Sequence, residues 1–246
     1  MIDAADIQRL HLGHYTMPPP GPDEAAGDPQ RRVLMTHLAG KQIVVTGFLI
    51  RHPRGLFLFD TGFGPTENES TRRLGTVRRD VLEALSRKGV GPDEITTIAN
   101  CHLHFDHGGG NQRFPGTTIL VQKTELELAQ AGEHTIDADV FDFPDATFET
   151  IEDDANPLPG IKVIPTPGHT AGHQSLVVET KQGRVVLAGQ SQNFATDHAL
   201  HAFARDLAAR GEPHADYPAW MDRFAELDPW KVLFAHDYAV WERSGT

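Results

Sequence analysis

Short apolar runs rich in β-branched and aromatic residues recur along the chain, separated by Gly, Pro and polar positions. Runs of this length and composition are typical of buried strands. The runs at residues 42–50 and 56–59 flank the turn sequence Arg-His-Pro-Arg-Gly and predict a β-hairpin. The same pattern predicts further strands at residues 7–12, 95–101, 119–122, 161–164, 174–180, 184–188 and 232–235.

Helical periodicity is found in three segments. Apolar positions 77, 81, 82 and 85 share one helical face, and the glycine at position 89 predicts the end of that helix. The Thr-x-x-Glu sequence at 124–127 predicts a capped helix over residues 124–130. Apolar positions between 217 and 227 predict a third, amphipathic helix.

Strands therefore come in runs with few helices between them, which favours two sheets covered by helices over an alternating doubly wound sheet. A chain of 246 residues fits one large domain or two small ones, and no linker composition divides it, so we predict a single domain over residues 1–246. The segment 17–22 is rich in Pro and Gly and predicts a loop. Whether that loop covers a site or joins two copies in a homodimer is left open.

Composition narrows the class of protein. Apolar residues make up 39% and charged residues 23%, which excludes a disordered chain. The net charge of −12 disfavours contact with phosphate backbones, so we expect no nucleic-acid partner.

The N-terminus has no basic, apolar leader, and no apolar run approaches the roughly 20 residues of a membrane helix. We expect a cytoplasmic protein without a membrane partner. Its single cysteine, Cys101, excludes a disulfide scaffold.

Metal-ligating residue types concentrate at one place in the chain. His102, His104, Asp106 and His107 lie within six residues, directly after a predicted strand and before three glycines. In extended chain His102 and His104 point to the same side, whereas Asp106 and His107 diverge once the chain turns. One short loop can therefore serve two metal ions. A solvated polar loop or a set of core histidines with satisfied hydrogen bonds is the alternative, and this spacing of ligand types makes it the weaker interpretation.

Further histidines follow other predicted strands. His169 comes after the strand at 161–164, and His236 comes after the strand at 232–235. Each alone would be a structural residue, but at strand ends near a metal loop both are candidate ligands. We expect His173 to brace a loop or orient a ligand. Asp60 ends a strand, and it is either a turn residue or a carboxylate that orients a ligand histidine.

These motifs together resemble the metallo-β-lactamase superfamily and, within it, the N-acyl homoserine lactonase group. The resemblance is carried by residues 58–62, 102–107, 121–125, 166–176 and 235–237, and it extends from about residue 42 to about residue 240. It implies an α/β fold of α+β type, a four-layer αββα sandwich with the metal site at one edge of the two sheets.

The resemblance also implies site residues. His102, His104 and His169 would hold one cation, and Asp106, His107 and His236 would hold the other. Asp60 matches a buried carboxylate of the family, and Phe105 matches a residue lining the acyl-chain pocket of the lactonases. One or two divalent ions are implied: zinc is the default, with Mn, Fe or Co as alternatives.

Two positions depart from the family pattern. The family usually places an Asp that bridges both metals after the strand at 184–188, where this chain has Gln190. An amide offers one neutral oxygen ligand where a carboxylate offers two charged ones, so Gln190 can ligate one ion but bridges two poorly. We therefore expect a labile second metal or a single occupied site. The lactonases have a substrate-contacting Tyr three residues further on, where this chain has Asn193.

The resemblance implies a metal-dependent hydrolase that opens a small-molecule ester, most simply a lactone. A bound metal would supply water with a pKa lowered to about 7 for attack on the carbonyl, and Asp106 would orient that nucleophile or carry the proton to the leaving alkoxide. Thioester or β-lactam hydrolysis on the same fold is one alternative. A catalytically weak metal-binding or ligand-binding protein is another, because Gln190 replaces the bridging Asp.

Overall fold

The computed structural model describes residues 1–19, 36–67, 69–132 and 137–243. Half of the proline-rich segment 17–22 that was predicted as a loop, residues 20–22, lies outside the described residues, so its predicted role over the site or between copies is not tested. No helix within the described ranges combines the length and the apolar composition needed to cross a lipid bilayer.

The first sheet has seven strands in the order β4-β1-β2-β3-β5-β6-β7. Its strands are β1 (Ile7–Thr16), β2 (Gln42–His52), β3 (Gly55–Phe59), β4 (Val77–Arg78), β5 (Ile95–Ala99), β6 (Thr118–Gln122) and β7 (Thr147–Ile151). Strands β2 and β3 form the predicted antiparallel hairpin, with Phe48 opposite Phe59. Strands β3, β5, β6 and β7 run parallel, so their carboxyl ends meet at one edge of the sheet.

The second sheet has six strands in the order β13-β12-β11-β10-β9-β8. Its strands are β8 (Ala155–Leu158), β9 (Ile161–Pro165), β10 (Gln174–Thr180), β11 (Gly183–Leu187), β12 (Lys231–Leu233) and β13 (Val240–Glu242). Strands β11 and β12 are parallel, and the other neighbours are antiparallel.

Five α-helices lie wholly within the described ranges: α1 (Glu69–Arg73), α2 (Val81–Ser86), α3 (Lys123–Gln130), α4 (Ala195–Ala209) and α5 (Trp220–Leu227). Three short 3₁₀ turns lie at Pro92–Glu94, Asn111–Arg113 and Ala138–Val140, and a fourth at Ala4–Asp6 precedes β1.

The helix predictions need three corrections. Val77 is not helical, because it pairs with His14 in the short strand β4, and α2 starts only after Asp80, whose side chain accepts a hydrogen bond from the Leu82 N–H. Thr124 does not cap α3, since Gln122 holds the N-cap position without a side-chain hydrogen bond. The long helix α4 was not predicted at all.

Apolar side chains form three layers. One lies between the first sheet and its helices and includes Leu58 and Leu85. A second lies between the sheets and joins Phe48 and Phe57 to Leu176 and Val185. The third packs α5 on the second sheet through Phe224. Three cores between four layers make the αββα sandwich, so the predicted fold class is confirmed.

Candidate metal centre

The candidate ligands follow strand ends in both sheets. Residues 102–107 follow β5 in the first sheet, and an isolated bridge between Gly62 and Gly108 ties their loop to the end of β3. His169, Gln190 and His236 follow β9, β11 and β12 of the second sheet. The fold therefore brings residues far apart in sequence to one rim of the sandwich.

The first cluster consists of His102, His104 and His169, each offering one ring nitrogen within 4.8 Å of the others. Nδ1 of His104 lies 3.1 Å from Nε2 of His169. His102 is fully buried, and its Nε2 has no hydrogen-bond partner among the described residues. His104 is half-buried and His169 is exposed, so the cluster opens towards solvent.

The second cluster consists of Asp106, His107 and His236, all buried, again with ligand atoms within 4.8 Å of one another. The Nε2 atoms of His107 and His236 are 3.2 Å apart, and Asp106 Oδ2 lies 3.6 Å and 3.7 Å from them. The residues predicted for the two cation positions are thus brought together as two adjacent groups.

Hydrogen bonds from outside fix the orientation of both imidazoles in the second cluster. Asp60 Oδ2 lies 3.1 Å from His107 Nδ1, and the Val44 carbonyl lies 2.8 Å from His236 Nδ1. Because each Nδ1–H donates outward, both Nε2 atoms face each other across the second cluster. Two nitrogens on a tetrahedral zinc are separated by about 3.3 Å, close to the distances in both clusters. The donor set therefore fits divalent cations.

Electrostatics also favour positive charge at the second cluster. Burial lowers the pKa of His107, but the carboxylates of Asp106 and Asp60 outweigh burial and raise that pKa to about 9. In the first cluster, burial and the neighbouring histidines hold the pKa of His102 well below 6.5. The His102 ring is consequently neutral and keeps a free lone pair.

Asp60 occupies the place expected of a carboxylate that orients a ligand. It is buried, and its other oxygen, Oδ1, accepts a hydrogen bond of 2.8 Å from the Cys101 N–H. Its backbone lies in the left-handed region with φ 63°. Cys101 itself is buried, and burial and the nearby Asp60 raise the pKa of its thiol, so it is a packing residue at neutral pH.

His173 braces the loop that carries Gln190. The backbone N–H of Gln190 donates to His173 Nε2 at 3.0 Å, so His173 is protonated at Nδ1, which donates to Thr166 Oγ1 at 2.8 Å. The Thr166 hydroxyl lies 2.8 Å from Ser175 Oγ, and Ser175 donates in turn to the Ala188 carbonyl. Burial lowers the pKa of His173 to about 3, so this directed chain of bonds persists across the neutral range.

Gly189 makes the close approach of this loop feasible. Its φ is +59°, and a Cβ there would lie 2.4 Å from Cys101 Cβ and 2.9 Å from Cys101 Sγ. Only glycine satisfies both conditions without strain. Gln190 then places Oε1 3.1 Å from His107 Nε2, while its Nε2 donates to Asn193 Oδ1 at 3.1 Å.

Phe105 lies in the ligand loop between His104 and Asp106, and its side chain is half-buried. Its ring packs 6.0 Å, centroid to centroid, from the buried ring of Phe63. The side chain of Asn193 already has a partner at the site, because its Oδ1 accepts the hydrogen bond from Gln190 Nε2.

Two residues at the site were given no role by the sequence analysis. Glu125 on α3 is buried; it accepts a hydrogen bond of 2.9 Å from the Leu103 N–H and one of 2.7 Å from the Thr170 hydroxyl, and so joins the two loops that carry the first cluster. Tyr15 on β1 packs edge-on against His236, with centroids 5.9 Å apart. The apolar pattern of α3 offers no signal for Glu125, because its role depends on loops distant in sequence.

Comparison with known proteins agrees with this architecture. The signature of the Metallo-beta-lactamase superfamily matches residues 41–236. The chain belongs to that superfamily.

Among its relatives, an N-acyl homoserine lactonase from a Bacillus species is 32% identical over 206 residues, covering 73% of this chain and 82% of the relative. The N-acyl homoserine lactonase AttM of Rhizobium radiobacter is 30% identical, covering 82% and 85%. A crystal structure of a quorum-quenching N-acyl homoserine lactone lactonase superposes with a TM-score of 0.67 at 26% identity, covering 94% of this chain and 92% of that one.

A further solved structure is that of an N-acyl homoserine lactone hydrolase with the product N-hexanoyl-L-homoserine at its catalytic metal centre. It superposes with a TM-score of 0.67 at 25% identity, covering 94% of this chain and 93% of that one. By homology, then, the chain is a lactonase-like, metal-dependent hydrolase, as predicted.

Proposed function

We propose that this protein hydrolyses the ester bond of a lactone, with N-acyl homoserine lactones as the substrate class. The observation that carries the proposal is the convergence of two groups of metal-ligating side chains at one rim of the sandwich. The lactonase relatives at 30–32% identity support the choice of substrate.

His102, His104 and His169 would hold one divalent cation, and Asp106, His107 and His236 would hold a second, with Gln190 Oε1 as an added neutral ligand. Zinc suits this mixture of imidazole and carboxylate ligands, as do Mn, Fe and Co. With a neutral amide at position 190, the ligands around the two cations carry one negative charge fewer than in the family pattern. The second cation is therefore the more easily lost.

Bound divalent cations would acidify water and polarise the lactone carbonyl. The chain's own groups would position the reactants. Asp106, buried between the histidines, accepts a hydrogen bond from the attacking water and passes its proton to the ring oxygen that leaves as an alcohol. Phe105 offers the apolar contact for an acyl chain, while Asp60 and His173 hold the ligand loops in place.

The test is metal content together with ring opening. The protein, stripped with a chelator and reloaded with Zn, Mn or Co, should open N-hexanoyl homoserine lactone to the hydroxy acid, scored by mass spectrometry. It should take up at least one ion per chain. His169→Ala should lower both uptake and turnover, whereas substitution of the exposed His214 should change neither.

A panel that includes a thioester and a β-lactam distinguishes substrate classes within the fold. Faster turnover of either compound would replace the lactone assignment. If no ester is cleaved by metal-loaded protein, the alternative of a metal-binding protein with weak catalysis takes its place.

A further inference from the structure

The amide of Gln190 has two chemically different ends, unlike the carboxylate that the family places there. The oxygen can ligate a cation, whereas the NH₂ group can only donate hydrogen bonds. Which end faces the second cluster therefore decides what this side chain does. Oε1 faces it, 3.1 Å from His107 Nε2.

The opposite orientation would have a different chemical result. Rotated by half a turn, the amide would point its N–H groups at His107 Nε2, the nitrogen that would bind a cation while Asp60 accepts from Nδ1. A hydrogen bond of that kind would satisfy the imidazole without a metal. In this orientation Gln190 would compete with a cation instead of binding it.

The backbone of Gln190 is already fixed by the bond from its N–H to His173 Nε2 and by the tight turn at Gly189. Rotation of the side-chain amide is the remaining freedom. Asn193, three residues further on and just before α4, accepts a hydrogen bond of 3.1 Å from Gln190 Nε2 through its own Oδ1. Both side chains are half-buried, so the bond is partly sheltered from competing water.

We propose that Asn193 is a positioning residue, which holds the Gln190 amide with its oxygen towards the second cation position and so sets how tightly that cation binds. This inference rests on the metal centre of the proposed function. It assigns Asn193 a role in holding metal, in place of the substrate contact expected from its position in the sequence.

Titration of chelator-stripped protein with Co²⁺, followed by visible absorption and by metal content, measures the two binding steps separately. Asn193→Leu keeps the size of the side chain and removes the acceptor. We expect the second step to weaken roughly 10-fold or more, the usual effect of losing a partner that orients a ligand. The first step should stay within about 2-fold, because it falls on the other cluster.

The control is the same substitution in the Gln190→Glu background. A carboxylate presents oxygen at both ends and needs no orientation, so Asn193→Leu should then leave the second step nearly unchanged. Asn193→Asp, which keeps an acceptor, should restore second-step binding in the Gln190 protein. Equal losses in both backgrounds, or no loss in either, would overturn the inference.

Failure of the proposed function has a different signature. If the wild-type protein binds no Co²⁺ at all, the proposed metal centre itself is refuted. If the wild-type protein saturates at one ion per chain, binding at the first cluster remains supported and only the role of Asn193 is refuted.

Discussion

Asp60 and His107 form a buried contact of 3.1 Å, and this contact decides which nitrogen of His107 carries the proton. The carboxylate accepts from Nδ1, so Nε2 faces His236 and Gln190. Its second oxygen holds the Cys101 N–H at the point where β5 ends and the ligand loop begins.

We expect Asp60→Asn to fold but to bind the second cation poorly. Asn tolerates the left-handed backbone at this position and still accepts from the Cys101 N–H. Its NH₂ group would face His107 Nδ1, force the proton to Nε2, and weaken metal binding by roughly 10- to 100-fold. Metal titration measures this loss, and Asp145→Asn is the matched control, because Asp145 has φ 60° but is exposed. Unchanged affinity would contradict the tautomer assignment.

Gly189→Ala should destabilise the fold by about 2–4 kcal/mol, because strain at positive φ adds to overlap with Cys101. Gly211→Ala separates the two causes, since Gly211 has φ +70° and nothing within 4 Å of its virtual Cβ. Strain alone should cost about 1–2 kcal/mol there. Urea unfolding of both variants gives the comparison, and equal losses would show that contact with Cys101 contributes nothing.

Glu125→Gln should lower stability by about 1–3 kcal/mol and loosen the first cluster. The amide keeps one acceptor oxygen for the Leu103 N–H, but it no longer offers a second to the loop that carries His169. Urea unfolding and the first metal-binding step should both report the change. Glu127→Gln, at an exposed position of the same helix, should be neutral in both measurements. A neutral Glu125→Gln would show that the two loops are held by other contacts.

The buried His198 should make stability fall in mild acid. Burial, with a smaller contribution from His201, lowers its pKa from 6.5 to about 4 in the folded protein. Between these two pKa values the unfolded chain binds a proton that the folded chain does not. The contribution of neutral His198 to the free energy of unfolding is therefore fully present above pH 6.5 and is lost as the pH falls towards 4. The loss amounts to about 3 kcal/mol over that interval.

His198→Gln should therefore unfold with a flatter dependence of its unfolding free energy on pH between 6.5 and 4, at equal metal loading. Gln can still donate to Gln192 Oε1, as His198 Nδ1 does. The exposed His214, replaced in the same way, supplies the reference curve. Parallel curves for wild type and His198→Gln would refute the linkage.

Nine of the strands in the described ranges were predictable because each contains a short apolar run ended by a turn, and the ligands were predictable because they follow those runs. The short or partly exposed strands β4, β7, β8 and β13 were not predicted. The hairpin of β2 and β3 and the strand β10 follow this rule closely. Helix α4 escaped prediction because Leu200 and Phe203 are exposed, so its apolar positions do not mark one buried face. Val77 fits helical spacing as well as strand pairing, and only its contact with β1 decides between them.

Residues that act through partners far away in sequence were not predicted for another reason. Glu125 lies on a helix whose pattern describes only its own packing, and its link to Leu103 and Thr170 exists only once three segments meet. Asn193 was noted as a departure from the family pattern, but its partner Gln190 became evident only from the folded loop.

The ligands of each cluster come from both sheets: loop 102–107 belongs to the first, and His169 and His236 belong to the second. An ion bound there would link the two sheets of the sandwich. Separating the two sheets would therefore require loss of the ion. Because such an ion binds the native chain and not the unfolded one, its binding energy adds to the energy of folding. A chelator should accordingly act on this protein as a denaturant as well as an inhibitor.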